Sequence, residues 1–177
     1  CFMVIPAVNF CAQKYGKKIT FLLSQSVSLV GYILLWWGFS PDQPWLMFLP
    51  LPLFSFGIGG LFTIMMSMTG DVCDMDELET GERRAGTFGA IYWLMVKIGT
   101  GLALMSAGFI MHAIGWDSTA ASQTNEALFL LRLSYIIVPS VGSMLAILVM
   151  LNYDLDETKA NDIRAQLDAR QAANVAN

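Results

Sequence analysis

The apolar positions of this chain fall in long runs without charge. No Lys, Arg, Asp or Glu occurs from Ile19 to Pro41, from Gln43 to Gly70, from Ala85 to Val96, or from Leu133 to Tyr153. A window of about 18 or more apolar residues reads as a helix that crosses a membrane. The pattern predicts a partial helix over 1–12 and four complete spans over 19–39, 45–69, 87–114 and 127–153. At about 1.5 Å per residue, each of the four can cross a hydrocarbon core about 30 Å thick. Their connections are short, so neighbouring helices run antiparallel. Residues 1–153 thus form one transmembrane bundle and 154–177 a polar tail. In the tail, Asp156 is placed to N-cap a short amphipathic helix with Ala160, Ile163 and Leu167 on its apolar side. Residues 172–177 are expected to lack structure. The chain opens inside an apolar run too short to span, with no initiator Met, and reads as a fragment cut within a helix.

Composition agrees with the pattern. Charged residues make up 14% of the chain, against roughly 25% in an ordinary globular protein. A disordered chain and a disulfide-rich module are excluded. So is a nucleic-acid binder, because the net charge is −4 and no basic stripe exists. Cys1, Cys11 and Cys73 form no CxxC pair and read as free thiols. His112 cannot make a metal site alone and reads as interfacial. Nothing resembles a catalytic constellation, so an enzyme is not expected.

The basic residues set the orientation. Eight of the ten lie in the 13–18 turn, in the 70–86 stretch or in the tail, and alternate connections, 40–44 and 115–126, carry none. By the positive-inside rule that basic side is cytoplasmic. Trp36, Trp37, Trp45 and Trp116 read as an interfacial belt.

Several features within the spans bear on mechanism. Pro44, Pro50 and Pro52 are followed by Gly57, Gly59 and Gly60. This is either a broken segment lining a substrate path or a kinked, tightly packed structural helix. Gly99, Ala103 and Ala107 form a small-residue stripe suited to close helix packing. Trp93, Lys97 and Thr100 lie on roughly the opposite face. Pro139 predicts a mild kink in the last span.

Lys97 is the sharpest signal. It lies about 15 Å into its helix, where a charge costs roughly 2.5–3.5 kcal/mol on insertion scales. No complete predicted span contains an Asp or Glu to pair with it. It lines a substrate or ion path, or it forms a structural pair with another helix. Trp93, one turn away, is either packing or a stacking surface for a sugar ring. Arg132 lies near the outer end of its span and can snorkel to the interface.

The second signal is Gly70 to Gly86, GDVCDMDELETGERRAG, with six acids and two arginines at a helix end. It lacks the glycine and spacing of a calcium loop. Asp71 and Asp74 share a helix face and can meet Arg83 or Arg84 folding back, as a latch. The alternative is a solvated loop. A third, weaker signal is Lys14-Tyr15-Gly16-Lys17-Lys18, a tight inner turn whose lysines meet the anionic leaflet.

Together these residues resemble the C-terminal part of the glycoside–pentoside–hexuronide:cation symporters, the melibiose permease family within the major facilitator superfamily. Asp71-x-x-Asp74, Asp76-Glu77, Gly81, Arg83, Arg84 and Gly86, then Lys97 in the next helix, follow the family's order of acidic pair, loop arginine and intramembrane lysine. The Gly16, Lys17, Lys18 turn is similar to the loop between helices eight and nine, and the Tyr153-Asp154-Leu155 tail is also similar.

The resemblance implies an all-α integral membrane fold, comprising the end of helix 8 plus helices 9 to 12 of the bundle. It implies Na+- or H+-coupled symport of a sugar or glycoside by alternating access in the cell inner (plasma) membrane, with no other cofactor. The expected partners are the sugar, the coupling cation, the bilayer and an N-terminal helix bundle that carries the cation-site aspartates. Lys97 matches the family lysine near the sugar and cation sites, and Phe62 falls where a relative has a tryptophan near the sugar. Asp71, Asp74 and one of Arg83 or Arg84 match the cytoplasmic gate. The rival readings are a transporter of a non-sugar, lipid-like solute and a non-transporting membrane protein.

Overall fold

The computed structural model describes residues 4–38, 44–116, 123–153 and 157–175, and they form helices joined by short turns. The helices are α1 (Val4–Tyr15), α2 (Lys17–Gly38), α3 (Pro50–Thr80), α4 (Ala85–Ala113), α5 (Asn125–Leu151) and α6 (Glu157–Val175), with a single 3-10 turn at Pro44–Phe48. Four segments, Lys17–Gly38, Trp45–Thr80, Ala85–Ala113 and Asn125–Leu151, are long and apolar enough to cross a membrane. They overlap the four predicted spans, 19–39, 45–69, 87–114 and 127–153. Most of the 40–44 and 115–126 connections, and Asp156 with its capping role, lie outside the described residues.

Three sequence expectations are corrected. First, the prolines of the third span fall at its start, where a 3-10 turn gives way to α3, and not in the interior of the helix. Pro50 opens α3, and Pro52 lies in its first turn, where a missing N–H costs no helical hydrogen bond. Second, α3 does not stop with its apolar run at Thr69. It continues through the acidic stretch to Thr80 and ends at Gly81, whose φ of +77° lets its N–H reach the Glu77 carbonyl. Loss of apolarity ends the membrane-embedded part of a helix, but the backbone ladder carries on. Third, the tail helix is longer than expected and includes residues 172–175.

α2 and α3 pack antiparallel along a seam of small residues. As α2 runs back from Gly31 through Ser28 to Ser24, α3 runs forward from Leu53 through Gly57 to Gly60. A Cβ on Gly57 would sit 1.7 Å from Ser28 Oγ, and one on Gly60 would sit 2.6 Å from Ser24 Cβ. Across the seam Gln25 Nε2 donates to the Gly57 carbonyl at 3.3 Å, and Ser28 Oγ to the Phe54 carbonyl at 3.3 Å. Between apolar helices in lipid there is no hydrophobic drive to associate, so close backbone approach and such hydrogen bonds supply it. The glycine-rich segment is therefore a packing device in this chain. Beside it Val8, Phe21, Ile64, Met68 and Met150 form the apolar core.

The stripe expected to pack closely, Gly99, Ala103 and Ala107, does not. Gly99 has no neighbour within 4 Å of where a Cβ would stand, and Ala103 and Ala107 line a cavity of about 440 Å³ shared with Tyr32, Ile58 and Tyr135. Small residues bring backbones together only when the facing surface is also small, as it is between α2 and α3. A second cavity of about 370 Å³ separates α4 from α3 and α5 near Met68, Tyr92 and Tyr153. None of the described residues of α4 is buried. α5 runs unbroken through Pro139.

Candidate functional site

The turn at Gly16 brings two lysines to the start of α2. Gly16 has φ +84°, which closes α1 by donating its N–H to the Ala12 carbonyl and lets α2 begin at once. The two lysines then diverge. Lys18 Nζ donates to the carbonyls of Leu151 at 3.0 Å and Tyr153 at 2.7 Å. These groups at the α5 terminus have no helical partner, and the end of a helix favours a cation. Lys18→Met is expected to fray this turn and cost about 1 kcal/mol. Faster amide exchange over the residues just before Tyr153, with the rest of α5 unchanged, is the measurement that checks it.

Lys17 turns the other way. Its Nζ donates to Asp71 Oδ2 at 2.5 Å. The other oxygen, Oδ1, accepts from Arg164 Nη2 of α6 at 2.5 Å, and Arg164 Nε reaches Asp74 Oδ2 at 3.4 Å. The Asp71 side chain is 4% exposed. Taking a carboxylate out of water is costly unless partners replace its hydration, and two cations do so here. Just past the end of α3, Arg83 lies 3.9 Å from Asp74 and 3.6 Å from Glu77, distances of ion pairs without hydrogen bonds. Arg84 instead grips Asp76 with both Nε and Nη2, at 3.1 and 2.8 Å.

Of the expected meeting of Asp71 and Asp74 with Arg83 or Arg84, only the Asp74–Arg83 contact is present, and Asp71 meets neither arginine. Arg83 takes Asp74 and Glu77, and Arg84 takes Asp76. Sequence reasoning missed the partners of Asp71. Lys17 was read as a lipid-facing lysine, and Arg164 only as a basic tail residue. A signal did exist, because Arg164 sits beside Ile163 and one turn before Leu167, on the edge of the stripe that docks the tail. Ala160 and Leu167 are indeed buried. The Tyr153 phenol lies close by, its hydroxyl buried without a hydrogen-bond partner among the described residues. Burial raises its pKa, and the Asp71 carboxylate adds to the rise.

The mid-span candidates stand apart from this cluster. Lys97 is the thirteenth residue of a 29-residue helix, which puts it near the middle. It is exposed, and no described residue pairs with its ammonium. The two cavities are lined by Phe88, Ile91, Tyr92, Met95, Ala103, Ser106, Ala107, Ile110 and Met111 of α4. At about 100° per residue, Lys97 and Trp93 lie on the side turned away from most of these. Phe62, on α3, is exposed and lines neither cavity. The structure therefore does not assemble Lys97, Trp93 and Phe62 into a closed site within this chain. Arg132 packs its guanidinium 4.8 Å above the ring of Trp36, which in turn meets Phe129 edge-on. It is held by a cation–π contact between α5 and α2. Of the three cysteines read as free thiols, Cys11 and Cys73 are free and Cys1 lies outside the described residues.

Comparison with known proteins places this architecture. The family described as MFS/sugar transport protein matches residues 1–157. An uncharacterized symporter of Synechocystis sp. is 30% identical over 92% of the chain and 31% of its own length. The glucuronide carrier protein homolog of Escherichia coli is 27% identical over 94% of the chain and 36% of its own length. The isoprimeverose transporter of Lactiplantibacillus pentosus is 26% identical over 96% of the chain and 35% of its own length. No solved structure matches. The chain spans about a third of the length of these relatives. A family match across nearly the whole chain, on four membrane-capable helices, identifies it as a multi-pass membrane protein belonging to the MFS/sugar transport family.

Proposed function

We propose that the chain is the C-terminal part of a cation-coupled symporter that carries a sugar or glycoside by alternating access, driven by Na+ or H+. The observation that carries this is Lys97. An ammonium near the middle of a membrane-capable helix is costly unless it meets a carboxylate, a water-filled path or a ligand. Its face of α4 is turned away from the other helices of the chain. There it can look across a central path toward a second helix bundle and act on substrate or coupling ion. Trp93, one turn away, offers an aromatic surface for a sugar ring. The names of the relatives, a symporter, a glucuronide carrier homolog and an isoprimeverose transporter, support a sugar or glycoside as solute.

In the same reading the charged end of the bundle is cytoplasmic, because eight of the ten Lys and Arg residues lie on that side of the chain's topology. Asp71 and Asp74, with Arg83 and Arg84 around them, form a gate that closes this side against the facing bundle. The test is uptake into vesicles by the full-length protein. Lys97→Gln is expected to abolish accumulation of a glycoside against its gradient, while the protein still reaches the membrane in normal amount. Undiminished, ion-dependent accumulation by Lys97→Gln would remove the central role of this residue.

A further inference from the structure

Arg164 bridges both aspartates of the proposed gate, and it does so from the tail. Its planar fork places Nη2 on Asp71 and Nε on Asp74. The second oxygen of Asp71 is taken by Lys17, and that of Asp74 faces Arg83. With α6 docked, each carboxylate oxygen of the pair already faces a cation of this chain. A cation arriving from another bundle must displace one of the three. Lys17 is rooted at the start of α2 and is only 18% exposed, so it has less room to turn away than a half-exposed side chain. Arg83 lies at 3.9 Å and blocks little. Arg164 is 48% exposed, on a polar helix fixed by two small apolar anchors, Ala160 and Leu167. It is the partner freest to depart.

We infer that α6 is a competitive clamp on the gate. Docked, Arg164 occupies Asp71 and Asp74 and keeps the cytoplasmic side free to open. Undocked, it releases the pair to cations of the facing bundle, and that side closes. Anything that binds the tail thereby sets how long the transporter faces inward. The inference rests on the gate reading above.

The experiment uses the full-length protein with its native cysteines replaced by alanine. Thr100→Cys, one turn from Lys97, is the reporter, alkylated by an impermeant maleimide from the cytoplasmic side. Arg164→Gln is expected to slow labelling about fivefold, the factor that one partly exposed ion pair is worth. Arg164→Lys, which keeps the charge and loses the fork, should fall between and serves where Arg164→Gln does not accumulate. In a background of Asp71→Asn with Asp74→Asn, Arg164→Gln should change nothing further. If Asp71→Asn with Asp74→Asn alters labelling but Arg164→Gln leaves it unchanged or raises it, the clamp is overturned and the gate survives. If the aspartate changes themselves leave labelling untouched, the gate reading fails first.

Discussion

Asp71→Asn is expected to be the most damaging single-charge substitution at the charged end of the bundle. The carboxylate is enclosed, and it holds Lys17 and Arg164 at once. Asparagine keeps the shape and one acceptor but removes the charge that Lys17 and Arg164 share, and leaves Arg164 with Asp74 at 3.4 Å. Removing one member of a buried ion pair typically costs about 3–5 kcal/mol. Arg164 keeps nearly half its surface in water and can turn outward, so about 2–3 kcal/mol is the expected loss. Thermal unfolding of the detergent-solubilised protein measures it. Asp76→Asn is the control, because its bidentate partner Arg84 is 46% exposed and a surface pair is worth about 0.5 kcal/mol. Equal losses for the two variants would show that burial does not set the strength of this network.

Gly57→Val is expected to separate α2 from α3. Even the first carbon added there would stand 1.7 Å from Ser28 Oγ, 2.6 Å from Ser28 Cβ and 3.1 Å from the Ser24 carbonyl. Neither a backbone oxygen nor a Cβ can swing aside, so the helices must move apart. Overpacking typically costs about 1–3 kcal/mol. Here the shift also breaks the hydrogen bonds of Gln25 and Ser28 to α3, which puts the variant at the upper end or beyond it. The folded fraction after solubilisation, read by size exclusion, should fall sharply. Gly57→Ala should be milder and should recover when combined with Ser28→Gly, which empties the space the new carbon needs. Gly70→Ala, where nothing lies within 4 Å, should instead gain up to about 1 kcal/mol by stiffening the helix.

The spans were legible in the sequence because a membrane imposes one strong rule, a long apolar run with few charges, and the chain obeys it four times, with Lys97 and Arg132 as the charges inside the last two runs. What the rule could not give was the end of α3. Val72, Met75 and Leu78 alternate with acids there, and the helix persists beyond the apolar run because its backbone bonds do not depend on apolarity. The acidic stretch was legible as a charge cluster, and so were the partners near it in sequence, Arg83 and Arg84. Lys17 and Arg164 lie 54 and 93 residues from Asp71, and only the fold brings them together. Small residues misled for a related reason. Gly99, Ala103 and Ala107 are as regularly spaced as a packing stripe should be, but a stripe is only half an interface. The matching half exists for Gly57 and Gly60, in Ser24 and Ser28, and not for α4 within this chain.

The continuity of α3 has a mechanical consequence. Its 31 residues make a rod about 46 Å long, against a hydrocarbon core of about 30 Å. The rod runs without a break from the glycine seam to the acidic cluster, so it has no hinge between them. Asp71 lies eleven residues beyond Gly60, a lever arm of about 16 Å. A tilt of about 10° at Gly60 would swing Asp71 through about 3 Å, enough to part contacts that now stand at 2.5 Å. The seam acts as the fulcrum and the aspartates as the tip, so a small repacking deep in the bilayer becomes the making or breaking of ion pairs at its surface.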